Sequence, residues 1–182
     1  MKIFKYLSAI LFTSFSLLSA GAGAQEAPDV LIRRVSEEIL ELAKTDKQIQ
    51  AGNQQRIMEV VQGKILPHVD FQRMTASAAG RYWREANAEQ QAALTSEFKM
   101  LLIYTYSGAI AQIRNQKLEF KPMRAAADDT DVEVRSNVIQ QRGEPISLNY
   151  RLEKTPGGWK IYDVNILGAW LVQTYKGSFA SE

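Results

Sequence analysis

Residues 159–179 read WKIYDVNILGAWLVQTYKGSF, and this stretch decides the fold. Strict alternation along a strand sets Trp159 and Ile161 on one face and Tyr162, Val164 and Ile166 on the other. After Gly168 the pattern turns helical, through Trp170, Leu171, Val172 and Tyr175. A strand that is apolar on both faces has to bury both. In a chain of 182 residues, that asks what fills the second face.

Upstream, Thr155-Pro156-Gly157-Gly158 is a hairpin signal leading into that strand. Before it, Ile146, Leu148, Tyr150 and Leu152 alternate with Ser147, Asn149, Arg151 and Glu153, so a second strand shows one apolar face. Gly143-Glu144-Pro145 is a turn. Val132 to Gln141 alternates with Val132, Val134 and Val138 on one side, and Lys117 to Met123 is a further strand candidate. Earlier still the period is helical. Ile32, Val35, Ile39 and Leu42 share a face from about Pro28 to Lys44. Asn53 can cap a helix carrying Ile57, Val60, Val61 and Ile65, which Pro67 ends. Asp70 can cap a short helix through Met74 to Gly80. Asn87-Ala-Glu-Gln90 is a capping box for a long helix with Leu94, Phe98, Leu101, Leu102, Thr105 and Ile113 on overlapping rows. Helices first and a strand meander afterwards predict an α+β fold: a curved antiparallel sheet with the N-terminal helices packed across one face.

The chain begins MKIFKYLSAILFTSFSLLSAGAGAQ. Lys2 and Lys5, an apolar run from Ile3 to Leu18, and Ala22-Gly23-Ala24 make the three-part pattern of a cleavable signal peptide over residues 1–24. Residues 25–182 then form a single exported α+β domain, periplasmic in a Gram-negative cell. The 22 Lys+Arg and 20 Asp+Glu of the whole chain become balanced once Lys2 and Lys5 leave. A neutral domain without a basic run offers no footprint for nucleic acid or anionic membrane. With no Cys, stability rests on burying apolar surface.

Two stretches carry a resemblance. GGWKIYDVNILGAWLVQTY (residues 157–175) and LPHVDFQRMTASAAGRYWREANAEQQAALTSEFKMLLIYTYSGAI (residues 66–110) together resemble the MlaC-type toluene-tolerance family. The likeness extends from about Pro28 to Phe179. It departs at Leu167, where an acid is expected, and at Trp170, where a small polar residue is expected. The resemblance implies an NTF2-like fold with extra helices that acts as a periplasmic carrier of glycerophospholipid. It further implies transfer between an outer-membrane lipoprotein–porin complex and an inner-membrane ABC transporter with an MCE-type subunit. Contact with those membrane complexes would be transient. The lipid would be cargo, and no cofactor is implied.

Physical chemistry agrees with a carrier. A diacyl lipid has on the order of 30 chain methylenes at about 0.8 kcal/mol each, so wetting both tails costs roughly 25 kcal/mol. A carrier needs a dry cavity open at one end. The expected lipid wall is Tyr150, Val164 and Ile166 from the strands with Leu101, Tyr104 and Tyr106 from the long helix, and Val134 and Leu148 as further members. One face of the Trp159–Ile166 strand would meet ordinary core, and the other would line this slot. Arg81-Tyr82-Trp83-Arg84 is expected as a basic and aromatic rim for a head group or a docking partner.

Motifs for catalysis are sparse. His68 is the single histidine and follows a helix-ending proline. Ser96-Glu-Phe-Lys99 matches S-x-x-K without its companion motifs. Asp128, Asp129 and Asp131 lack the spacing of a calcium loop. Tyr162 and Asp163, as strand neighbours, should point to opposite faces. Two further readings stay open. One is a small NTF2-like isomerase or hydrolase with Asp163 facing an apolar pocket. The other is an exported adaptor with a filled interior.

Overall fold

The computed structural model describes residues 25–123, 125–126 and 128–181. The expected signal peptide lies outside the described residues. Local sequence signals place each helix. In α1 (Pro28–Thr45) Pro28 occupies the first turn, and Leu31, Ile32, Val35, Ile39 and Ala43 form the buried stripe. Asp46 caps α2 (Lys47–Gln50) by accepting from the backbone N–H groups of Gln48 and Ile49. Asn53 caps α3 (Gln54–Val60) through the Arg56 N–H. The helix then widens into a π turn, Val61–Ile65, and tightens into a 3-10 turn, Leu66–His68. Asp70 caps α4 (Phe71–Ala79), and Gly80 ends it with φ +59°. A short α5 (Arg81–Glu85) follows. The capping box of Asn87 and Gln90 starts α6 (Ala88–Tyr106), and a 3-10 turn, Ser107–Gln112, closes the helical half.

The strands are β1 (Lys117–Phe120), β2 (Asp131–Ile139), β3 (Ile146–Thr155), β4 (Gly158–Ile166) and β5 (Ala169–Trp170), followed by α7 (Leu171–Ser181). They form one open antiparallel sheet in sequence order. Val134 pairs with Tyr150, and Tyr150 with Val164, so these three share one face. Asp131, Glu133 and Arg135 stand exposed on the other.

Strand β4 departs from strict alternation. Leu152 pairs with Ile161 but Arg151 pairs with Asp163, so Tyr162 is an extra residue, a β-bulge. The slip returns Val164 and Ile166 to the face already occupied by Trp159 and Ile161. The expectation of two apolar faces is thereby overturned: all four large residues look inward. Tyr162 turns outward, where its hydroxyl donates to Asp131 Oδ1 at 2.8 Å and its ring lies 3.5 Å under the Arg73 guanidinium. Arg73 also pairs with Asp131 and Glu153, tying α4 across β4.

Among the described residues the buried core falls into three clusters. One joins α1 to the sheet through Leu31, Ile32, Val35, Val132, Val134, Leu152, Trp159 and Ile161. A second joins the end of α1 to α2, α3 and the 3-10 turn after α6 through Ile39, Ile49, Ile57, Val60 and Ile110. A third joins α4, α6 and α7 through Met74, Phe98, Leu102 and Leu171, with the Tyr175 and Phe179 rings edge-on to Phe98 at 5.0 and 5.7 Å. A domain this size commonly has one contiguous core. Here the clusters surround a hollow.

Candidate functional site

The hollow is two apolar cavities between sheet and helices. The first, of about 230 Å³, is walled by Val61, Ile65 and Leu66 of the π and 3-10 turns, by Phe71 and Met74 of α4, by Leu102, Ile103 and Tyr106 of α6, and by Val164 and Ile166 of β4. Leu171 closes it at the start of α7. The second, of about 200 Å³, lies under α1, between Ile32, Ser36 and Leu40 on one side and Leu118, Val138 and Leu148 on the other. Ile65, Tyr150 and Ile161 line both.

Polar groups within these walls are few. Among the described residues the first cavity has Tyr106, Ser107 and Tyr150, and the second Ser36, Gln116 and Tyr150. Burial, reinforced by a hydrogen bond with Tyr175, pushes the Tyr106 phenol up to about 12. Burial also raises Tyr150, against the opposing influence of the Ser36 and Ser136 hydroxyls beside it. Both phenols therefore stay neutral across ordinary pH. Walls of this kind are suited to hydrocarbon.

Of the residues expected in a lipid wall, five line these cavities. Tyr106, Tyr150, Val164 and Ile166 line the first cavity, and Leu148 with Tyr150 lines the second. Val134 is only 1% exposed but belongs to the core beneath α1 and lines neither. Leu101 and Tyr104 are corrections: they are 44% and 73% exposed, on the outer side of α6. Helix α6 carries apolar residues around its whole circumference, so spacing alone could not choose its inner face. Phe98, Leu102 and Ile103 take that role. Sequence reading missed the wall given by the π turn and by Leu102, Ile103 and Ile110. The apolar pairs Val60-Val61 and Ile65-Leu66 before Pro67 are the available signal.

The basic and aromatic segment divides. Arg81, Tyr82 and Arg84 border a surface concavity of about 410 Å³ with Lys176 of α7, and share no wall with either apolar cavity. Trp83 faces a different groove, of about 750 Å³, with Lys99 and Lys160. That groove shares Val69 and Phe71 with the first cavity.

The catalytic candidates have other occupations. The bulge sends Tyr162 and Asp163 to the same outer face, correcting the expectation of opposite faces. Asp163 lines neither cavity. It is 2% exposed, and its Oδ1 accepts from the N–H of Val164 at 2.9 Å and of Val172 at 3.0 Å, which caps α7. Arg151 approaches its other oxygen at 3.6 Å and lies over the Trp170 ring at 3.9 Å. Burial raises the Asp163 carboxyl, and these donors oppose the rise. Asp163 thus faces away from the apolar space in which an acid or base would have to act. Nor is the interior filled, as an adaptor would require.

Comparisons with known proteins agree with this arrangement. The model of the family described as "MlaC protein" matches residues 33–182. The intermembrane phospholipid transport system binding protein MlaC of Haemophilus influenzae is 26% identical over 166 residues, which is 90% of this chain and 77% of that protein. Toluene tolerance protein ttg2D of Pseudomonas putida is 25% identical over 172 residues, 94% of this chain and 78% of its own. A phospholipid-binding protein from Ralstonia solanacearum, solved in complex with a phospholipid, is 47% identical and superimposes with a TM-score of 0.81. The superposition covers 86% of this chain and 87% of that one. The chain belongs to the MlaC protein family.

Proposed function

We propose that this protein is an exported carrier that holds the acyl chains of a glycerophospholipid in the paired cavities. The observation that carries the reading is the paired hollow itself: two chambers, walled almost wholly by apolar side chains and meeting at Tyr150. Apolar walls without a charge clamp suit a cargo that must also leave, because hydrocarbon contact is non-directional. The names of the relatives support phospholipid as the cargo.

The carrier works in the periplasm after loss of residues 1–24. It passes lipid between an outer-membrane lipoprotein–porin complex and an inner-membrane ABC transporter with an MCE-type subunit, and so maintains outer-membrane lipid asymmetry. No described helix is long and apolar enough to cross a membrane, in keeping with transient visits to those complexes. Arg81, Tyr82 and Arg84, with Lys176, form the docking surface. The test is to purify the protein from an exporting host without detergent and quantify extracted phospholipid. A ratio near one lipid or more per protein is expected. A protein that carries none, and takes none from vesicles, would overturn the reading.

A further inference from the structure

Tyr150 stands at the centre of the interior. It lies on β3, the middle strand of the five, between Val134 on β2 and Val164 on β4. With Ile65 from the π turn and Ile161 from β4 it is common to both cavities. It is the bulkiest of the three and the only one with a polar tip. That tip lies near the hydroxyls of Ser36 on α1 and Ser136 on β2. Ser136 is fully buried and is itself fixed by donating to the Leu148 carbonyl at 2.7 Å. The Tyr150 ring therefore reaches from the sheet towards α1, from a backbone fixed by two ladders. A flat aromatic ring with only two side-chain torsions is a rigid wall.

We propose that Tyr150 is the partition that sets acyl capacity: its ring, set on the middle strand and lining both cavities, divides the hollow into two compartments and limits how far a chain extends from one into the other. The proposal rests on the reading of the cavities as acyl compartments. With the ring in place, each compartment ends at Tyr150 and accepts a chain of bounded length. Without it, the two volumes join into one continuous chamber. Longer chains, or chains of a second lipid, then become admissible.

The test compares wild type, Tyr150→Ala and Tyr150→Phe, all exported from the same host and purified without detergent. Native mass spectrometry gives the lipid-to-protein ratio, and extraction gives the acyl-chain distribution. Tyr150→Ala should shift to longer total chain length or double its lipid ratio. Tyr150→Phe, which keeps the ring, should hold the wild-type profile. A loaded wild type with an unchanged profile in Tyr150→Ala overturns the partition and leaves the carrier reading intact. A Tyr150→Phe shift as large as that of Tyr150→Ala also overturns it, since ring bulk would then not be the divider. A wild type free of phospholipid defeats the carrier reading and this one with it. If Tyr150→Ala does not fold, Tyr150→Leu, which removes the flat ring but keeps an apolar side chain, takes its place and is read identically.

Discussion

Ile161 and Val164 stand three residues apart in β4, yet their side chains point to the same side of the sheet. Ile161 pairs with Leu152 and Val164 with Tyr150, two residues that are themselves only two apart on β3. The extra residue, Tyr162, absorbs the difference. A one-residue slip reverses every side chain beyond it. Here the reversal delivers Val164 and Ile166 to the inner wall. The cavity therefore depends on the bulge as much as on the apolar residues.

Val164→Glu should empty the carrier, whereas Leu101→Glu should not. The first places a carboxylate in a dry wall, at a cost of several kcal/mol. At about 1.4 kcal/mol per factor of ten, retention falls roughly a hundredfold or more. Leu101 faces solvent, and its variant should keep wild-type lipid. Phospholipid extracted per protein is the measurement, and equal loss in both variants would contradict the placement of α6.

Asp163→Ala should weaken the anchorage of α7. The change leaves the Val164 and Val172 N–H groups without their acceptor and Arg151 without its carboxylate. Loss of a cap costs about 1–2 kcal/mol. In a chain of this size that lowers Tm by about 2–8 °C. Asp163→Asn retains the accepting oxygen and should cost less than half as much. Thermal unfolding followed by circular dichroism decides between them.

Much of the fold was legible in the chain. Asp70, Asn53 and the box of Asn87 and Gln90 mark helix starts because short polar side chains at those points satisfy free backbone N–H groups. The alternation of Ile146, Leu148, Tyr150 and Leu152 fixes β3 because pairing leaves one face dry. The bulge was not legible. Tyr162 is held outward by Arg73 and Asp131, residues 89 and 31 positions away, and no local pattern reports such a contact. The π turn at Val61–Ile65 is hidden for a related reason: the spacing of a few apolar residues does not tell a single π turn from the 3.6-residue period around it. Both irregularities bear on the cavity: the bulge sets its strand wall and the π turn part of its helical one.

Acidification should destabilise the protein through His68. Burial first, then the nearby positive charges of Arg34 and Lys160, hold its ring below the ordinary histidine value, while Glu26 and Glu38 act weakly the other way. The folded chain thus binds this proton less tightly than the unfolded chain. As pH falls through the ordinary value the unfolded state takes up a proton that the folded state refuses. Stability is lost from there down to the folded value and levels off below it. Denaturant titrations between about pH 7.5 and about pH 5.5 should show the fall. His68→Asn should flatten it, and an unchanged slope would remove His68 as the cause.

Leu167→Asn should stabilise the β4–β5 turn. Leu167 has φ +53° and is 69% exposed, followed by Gly168 at +91°. A two-residue hairpin of this kind favours Asn-Gly, and a branched apolar residue there is strained. A gain of about 1 kcal/mol is expected, or roughly 2–4 °C in Tm. No gain, or a loss, would mean that Leu167 makes a compensating contact.

The basic concavity makes the last prediction. Arg84 and Lys176 form no ion pair among the described residues, and Arg81 is held by Tyr82, whose hydroxyl accepts from it at 2.7 Å. Positive charge left unpaired beside a concavity is suited to meeting an acidic partner. Because the site shares no wall with the apolar chambers, docking and cargo should separate on mutation. The double variant Arg81→Glu, Arg84→Glu should keep its phospholipid but deliver it about tenfold more slowly to isolated inner-membrane fractions, with most of the difference removed by high salt. Unchanged delivery would dismiss the surface as a docking site. Loss of bound lipid from a variant with wild-type Tm would instead return these arginines to the head group.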